Sequence, residues 1–165
     1  MSFPVSSTYY SYKTNAELQV ILLTTRQSDT PGLNSRNTVL KKSYNWEGKT
    51  ILIAEDEEFN FLYLREIMAP TGATILRALD GEMAVQICQN SMVDIVLMDI
   101  KMPRMNGLEA TRKIRIFNKH LPVIAQTAYA LIEDSEKCLG AGCTHYLTKP
   151  ISSKALLGLV DQYLK

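Results

Sequence analysis

From Lys49 to the end of the chain, short apolar runs alternate with longer stretches whose apolar residues recur at helical spacing. Thr50–Ala54 (TILIA) is rich in β-branched residues and has no polar alternation, the pattern of a strand buried on both faces. Glu57–Thr71 sets Phe61, Leu64, Ile67, Met68 and Thr71 on one helical stripe, and Pro70 and Gly72 close it. Further strands are predicted over Ala73–Ala78, Val93–Met98, Pro122–Gln126 and Thr144–Leu147. Helices are predicted over Glu82–Asn90, Met105–Phe117, Leu131–Leu139 and Ser152–Tyr163. Strand and helix thus alternate five times. Such alternation implies right-handed βαβ crossovers and a parallel sheet with helices on both faces.

The texture changes near Gly48. Residues 1–47 are rich in Ser, Thr, Tyr and Asn, and their one solid apolar run is Leu18–Leu23. Gln27–Lys42, with Pro31-Gly32, reads as a linker. The chain therefore divides into a leader over 1–47 and a domain over 48–165. Composition narrows the function classes. At 46 % hydrophobic, 21 % charged and a formal net charge of +1, the chain lacks the basic excess of a nucleic-acid or membrane-surface binder. No run approaches the ~20 apolar residues of a bilayer span, and no signal peptide opens the chain. Cys88, Cys138 and Cys143 lack CxxC spacing and read as reduced, packed thiols of a cytoplasmic protein.

Parallel sheets of this kind bind ligands at the carboxyl ends of their strands. There the predicted strands end in Glu55-Asp56, Asp99, Thr127 and Lys149. Three close carboxylates repel one another unless a proton or a cation sits among them. An all-oxygen set with open positions suits Mg²⁺, which keeps several waters and partners phosphates. Lys149 adds a point charge for a phosphoryl oxygen, and Thr127 adds a donor. Taken singly, each residue has a duller role: helix capping for Glu55-Asp56, a turn for Asp99, packing for Thr127 and Tyr146, a solvated charge for Lys149. What separates them from that background is that they occur in order, each at or near the end of a strand.

The ordered set Glu55-Asp56, Asp99, Thr127 and Lys149-Pro150 resembles the receiver domain of two-component response regulators. Met98–Gly107 (MDIKMPRMNG) matches that family's phosphoacceptor loop nearly position for position, and Gln126–Ala130 (QTAYA) looks most like receivers of hybrid sensor kinases. The resemblance covers residues 48–165 and implies a flavodoxin-like sheet of order 2-1-3-4-5. It implies that Asp99 takes a phosphoryl group from a phosphohistidine, and that Mg²⁺ is held by Glu55, Asp56, Asp99 and the Lys101 backbone carbonyl. Lys149 and Thr127 would meet the phosphoryl oxygens. Tyr146 would swing inward behind Thr127, changing the helix 4–strand 5–helix 5 face. Lys101 and Tyr129 would flank the phosphoryl group and control water access. A cis peptide at Lys149-Pro150 is expected, as in receivers resembling this one.

The implied partner is a sensor histidine kinase or a histidine phosphotransfer protein, docking on the first helix; Phe59, Phe61 and Leu62 spread apolar surface far round that helix. A homodimer through the helix 4–strand 5–helix 5 face is compatible with the resemblance. Nucleic acid and membrane are not expected as partners, and the domain is a phosphoacceptor, not an enzyme. The final predicted helix ends near Lys165, so the expected output is protein–protein. Ser7–Tyr10 faintly resembles the last strand of a histidine-kinase ATP-binding module. Three rivals fit less well. A haloacid-dehalogenase-type phosphohydrolase needs a second aspartate where Lys101 stands, and a flavodoxin needs a Ser/Thr/Gly phosphate loop where Glu55-Asp56 stand. A pseudo-receiver would lack acceptor-site residues that are all present here.

Overall fold

The apolar runs become five strands: β1 (Thr50–Ala54), β2 (Thr74–Ala78), β3 (Ile95–Asp99), β4 (Val123–Thr127) and β5 (His145–Thr148). Between and after them lie α1 (Glu58–Met68), α2 (Gly81–Asn90), α3 (Gly107–Phe117), α4 (Ile132–Gly140) and α5 (Ser153–Leu164). The computed structural model describes residues 43–128 and 132–165. Leu18–Leu23, the Gln27–Lys42 linker, Ser7–Tyr10 and Tyr129 lie outside the described residues. All neighbouring strands pair parallel, in the order β2-β1-β3-β4-β5. This is the flavodoxin-like architecture expected from the sequence.

Alternation along each strand divides the interior into two layers. Ile51, Ile53, Ile95, Leu97 and Ile124 meet Phe61, Leu64 and Met68 of α1 and Leu156, Leu159, Val160 and Leu164 of α5. Leu52, Ala54, Val96, Met98, Val123 and Ala125 face Ala84 and Ile87 of α2, Ala110 and Ile114 of α3, and Cys138 of α4. Each buried aliphatic side chain of this kind contributes about 1.5–3 kcal/mol relative to exposure, so the sheet's middle is rigid and its carboxyl edge is a fixed platform.

Local chemistry sets the element boundaries. Pro70 cannot continue α1, so Ala69–Thr71 tightens into a 3-10 turn, and Gly72 leaves it at φ 77°. Asn106 accepts from Glu109 N and the Glu109 side chain answers to Asn106 N, a capping box that starts α3 at Gly107, two residues after the predicted Met105. The packed region extends to Trp46, on the leader side of the expected boundary at residue 48. Trp46 is only 2 % exposed and packs in the α1/α5 layer, its backbone N donating to Thr71 O at 2.7 Å and its indole N–H reaching Asp161. A buried indole at the end of a Ser- and Asn-rich stretch carries no periodicity for a sequence reading to detect. Cys138 and Cys143 are buried and Cys88 half-buried, with burial pushing the Cys88 thiol up to about 12 and the Cys143 thiol up to about 11. No helix among the described residues is long and apolar enough to cross a membrane.

Candidate functional site

β3, the central strand, and its neighbour β1 deliver the acidic residues as they end. Glu55 is fully buried, Asp99 is 7 % exposed and Asp56 is half-buried. One carboxylate oxygen of each lies within 4.8 Å of the others. The platform under Asp99 is closely built. A Cβ at Gly107 would come within 2.0 Å of the Asp99 carbonyl oxygen, so only glycine lets the start of α3 pass this near the acceptor residue. Gly107 N then donates to Ile100 O at 3.0 Å.

Lys149 enters from the end of β5 through a Lys149–Pro150 peptide that is cis, as expected. Its Nζ donates to Glu55 Oε2 at 2.8 Å and lies 3.2 Å from Asp99 Oδ1. The other Glu55 oxygen accepts from Asn60 Nδ2 at 3.0 Å, so both are engaged. One ammonium thus serves two carboxylates. Burial pushes the Asp99 carboxyl above its ordinary value and the Glu55 charge adds to this, against the pull of Lys149 and the Lys101 backbone N–H. For Lys149, burial acts to lower the ammonium, but the Glu55 hydrogen bond and the Asp99 charge outweigh it and raise its pKa. The lysine is therefore held charged at neutral pH.

Asp56 is the member left over. Its Oδ1 is buried and has no hydrogen-bond partner among the described residues. An unpartnered carboxylate oxygen, beside two further carboxylates that share a single lysine, is a donor set that fits a hard cation such as Mg²⁺. Beside it opens a groove of about 570 Å³ lined by Asp56, Ile100, Lys101, Met102, Pro103, Asn106 and Leu108. The exposed Lys101 side chain stands at its rim, two residues past Asp99.

Thr127 is 4 % exposed at the end of β4, and Tyr146 is half-buried on β5, packed against the layer under α2, α3 and α4. Thr127 follows Val123 and Ala125 at alternating positions, so it lies on the same side of the sheet as Tyr146. On α1 the three apolar residues separate. Phe59 is 84 % exposed and Leu62 half-buried, but Phe61 is 2 % exposed and belongs to the core. Phe61 is therefore not a docking residue, because its position on the helix faces the sheet. Tyr63, 49 % exposed with its hydroxyl donating to Ile151 O at 2.7 Å, carries the outward surface instead.

A model of the response regulator receiver domain matches residues 51–161. The chain belongs to the response regulator receiver family. It is 34 % identical over 118 residues to the polar-differentiation response regulator DivK of Brucella anthropi, covering 70 % of this chain and 96 % of DivK. Among solved structures it is similar to the receiver domain of sensor histidine kinase PA1611 from Pseudomonas aeruginosa PAO1, which has a magnesium ion coordinated in its active-site cleft. That likeness has a TM-score of 0.66 at 33 % identity over 70 % of this chain and 97 % of that one. It is also similar to the Ssk1 receiver domain co-crystallised with the histidine phosphotransfer protein Ypd1 of Saccharomyces cerevisiae, at TM-score 0.67 and 28 % identity over 70 % and 88 % of the two chains. As a receiver domain the chain is a two-component signalling module and not an enzyme of the ordinary kind.

The strand-end residues read from the sequence meet at one edge. The residues that support them were not read from it. Asn60 holds Glu55, and Asp80, buried at the start of α2, accepts from Met83 N and pairs with Arg104 of the β3–α3 loop. Arg104 is the one non-glycine residue at positive φ (62°) among the described residues, and its ion pair holds that loop against the turn after β2. Gln126, fully buried beside Asp99 in the β3–β4 register, has no hydrogen-bond partner among the described residues on either amide atom. A turn aspartate, a loop arginine and a strand glutamine each look unremarkable alone. Only their depth and pairing reveal them.

Proposed function

We propose that this domain accepts a phosphoryl group on Asp99 from a phosphohistidine of a sensor kinase or histidine phosphotransfer protein in the cytoplasm. The observation that carries this is the convergence of Glu55, Asp56 and Asp99, of which Lys149 pairs with Glu55 and Asp99 while an Asp56 oxygen has no partner among the described residues. An Asp99 carboxylate oxygen attacks phosphorus, the P–O bond forms as the P–N bond breaks, and the departing imidazole keeps the electron pair and takes up a proton. Asp56 would hold Mg²⁺ together with Asp99, the Lys101 carbonyl and Glu55, and when bound the ion offsets charge on the phosphoryl oxygens.

Lys149 is placed to exchange its contact with Asp99 for one with a phosphoryl oxygen, keeping its anchor on Glu55. Phosphorylation adds roughly −1.5 to −2 charges at this spot, and Thr127 supplies a hydroxyl toward it. Movement of Thr127 frees space on the α2–α4 side, where Tyr146 gains burial, and the α4–β5–α5 face changes shape for its next partner. Phe59, Leu62 and Tyr63 of α1 offer the apolar contact for the donor protein, the class of partner seen with the Ssk1 receiver. The test is an amide-shift map with beryllofluoride and Mg²⁺. Shifts that start around Asp99, Thr127 and Lys149 and extend to Tyr146 support the reading; no response at Asp99 overturns it.

A further inference from the structure

β2 supplies no carboxylate, hydroxyl or ammonium to the proposed chemistry, yet one of its side chains is built into the loop that does. Arg77 lies opposite Ile53 in the β1–β2 register, and so leaves the sheet on the α1/α5 side. Its guanidinium carbon sits 4.3 Å from the centroid of the buried Phe61 ring. From that seat Nε donates to the Glu55 carbonyl at 3.4 Å and a terminal nitrogen donates to the Asp56 carbonyl at 3.3 Å. The remaining nitrogen pairs with Glu58 at the start of α1. The side chain is only 15 % exposed.

These two carbonyls belong to the residues whose carboxylates form two thirds of the acidic cluster. They lie where β1 ends and the chain must turn toward α1, beyond the last ladder pairing of Ala54 with Ala78 and Met98. A planar fork satisfies both carbonyls from one rigid group, and stacking on Phe61 fixes its plane; a lysine ammonium is a flexible point charge with no plane to fix. The electrostatics point the opposite way. A guanidinium near three carboxylates competes with a bound cation, and Glu58 offsets that charge only in part. The two effects therefore predict opposite signs when the arginine is removed.

We propose that Arg77 is a positioning residue for the cation pocket, holding the Glu55–Asp56 backbone so that the Asp56 carboxylate is aimed at the metal. This rests on Asp56 being a magnesium ligand, as proposed above. The experiment is a Mg²⁺ titration of the full chain, followed by calorimetry and amide shifts, for wild type, Asp56→Ala, Arg77→Met and Arg77→Lys. Loss of a group that orients a metal ligand typically weakens binding on the order of tenfold or more, and that is the change expected for both arginine variants. The lysine variant keeps the charge, so its matching loss isolates geometry from electrostatics and decides the outcome if the methionine variant does not fold. In both, raising Mg²⁺ to saturation restores the beryllofluoride response. Arginine variants that bind Mg²⁺ as tightly as wild type or more tightly, while Asp56→Ala loses binding, overturn the positioning role alone. Wild type that fails to bind, or Asp56→Ala that binds equally well, overturns the metal assignment and this inference with it.

Discussion

If Asp56 helps to hold magnesium as proposed, replacing it with alanine should make the metal-free domain more stable and remove its response to magnesium. The ligand oxygens of Glu55, Asp56 and Asp99 lie within 4.8 Å of one another. At that separation and an effective dielectric of ~20, each ionised pair repels by about 3.5 kcal/mol. Asp56 takes part in two such pairs, while the Lys149 ammonium sits on the other two carboxylates, at 2.8 Å and 3.2 Å. Asp56 is half-buried, so solvent screens much of the repulsion, leaving a net gain of about 1–3 kcal/mol when it is removed. Wild type should recover the difference with metal: a ligand at about 100 times its Kd stabilises by roughly 2.7 kcal/mol. Urea unfolding in chelator and in saturating Mg²⁺ reads both effects. The variant should have the higher midpoint in chelator and an unmoved one in Mg²⁺. A variant that is less stable in chelator, or that gains from Mg²⁺ as wild type does, refutes the reasoning.

The Asp80–Arg104 pair gives an acid dependence. Burial acts to raise the Asp80 carboxyl, but the Met83 N–H and Arg104 outweigh it and hold it below the ordinary 3.8. Its contribution is therefore full above that value and lost as pH falls through the lower folded value. Asp80→Asn, which keeps a capping oxygen, should flatten this part of the stability curve, and an unchanged slope in acid denaturation counts against the pair. Gln126→Leu should raise the urea midpoint, since a buried unmade hydrogen bond costs about 1–3 kcal/mol; a lowered midpoint means that the amide is satisfied. Thr127→Ala should still be phosphorylated but show no amide shifts at Tyr146 and the α4–β5–α5 face with beryllofluoride. A full distal response would place the coupling elsewhere.

Much of the fold was legible because parallel strands buried on both faces write themselves as continuous apolar runs, as in TILIA and in Ile95–Met98. The helix that begins after β3 was placed two residues early because Met105 is apolar and buried, whereas the capping box at Asn106 fixes the start. The convergence of Glu55, Asp56, Asp99 and Lys149 was legible from their positions at strand ends. The residues around them were not, because Arg77, Asp80 and Arg104 act through contacts 19 to 24 residues away in the chain. Phe61 illustrates the same limit. Its neighbours Phe59 and Leu62 are equally apolar, and only the direction in which each leaves α1 separates outward surface from core.

The most direct test of the central claim is the site of covalent modification. Wild type and Asp99→Asn are incubated with acetyl phosphate and Mg²⁺, and intact mass and peptide fragmentation are read before the acyl phosphate hydrolyses. The account predicts the added mass of one phosphoryl group on wild type, located at Asp99 and absent when chelator replaces Mg²⁺, with none on the variant. Equal labelling of wild type and Asp99→Asn, or a phosphoryl group mapped to another residue of the wild type, would contradict it.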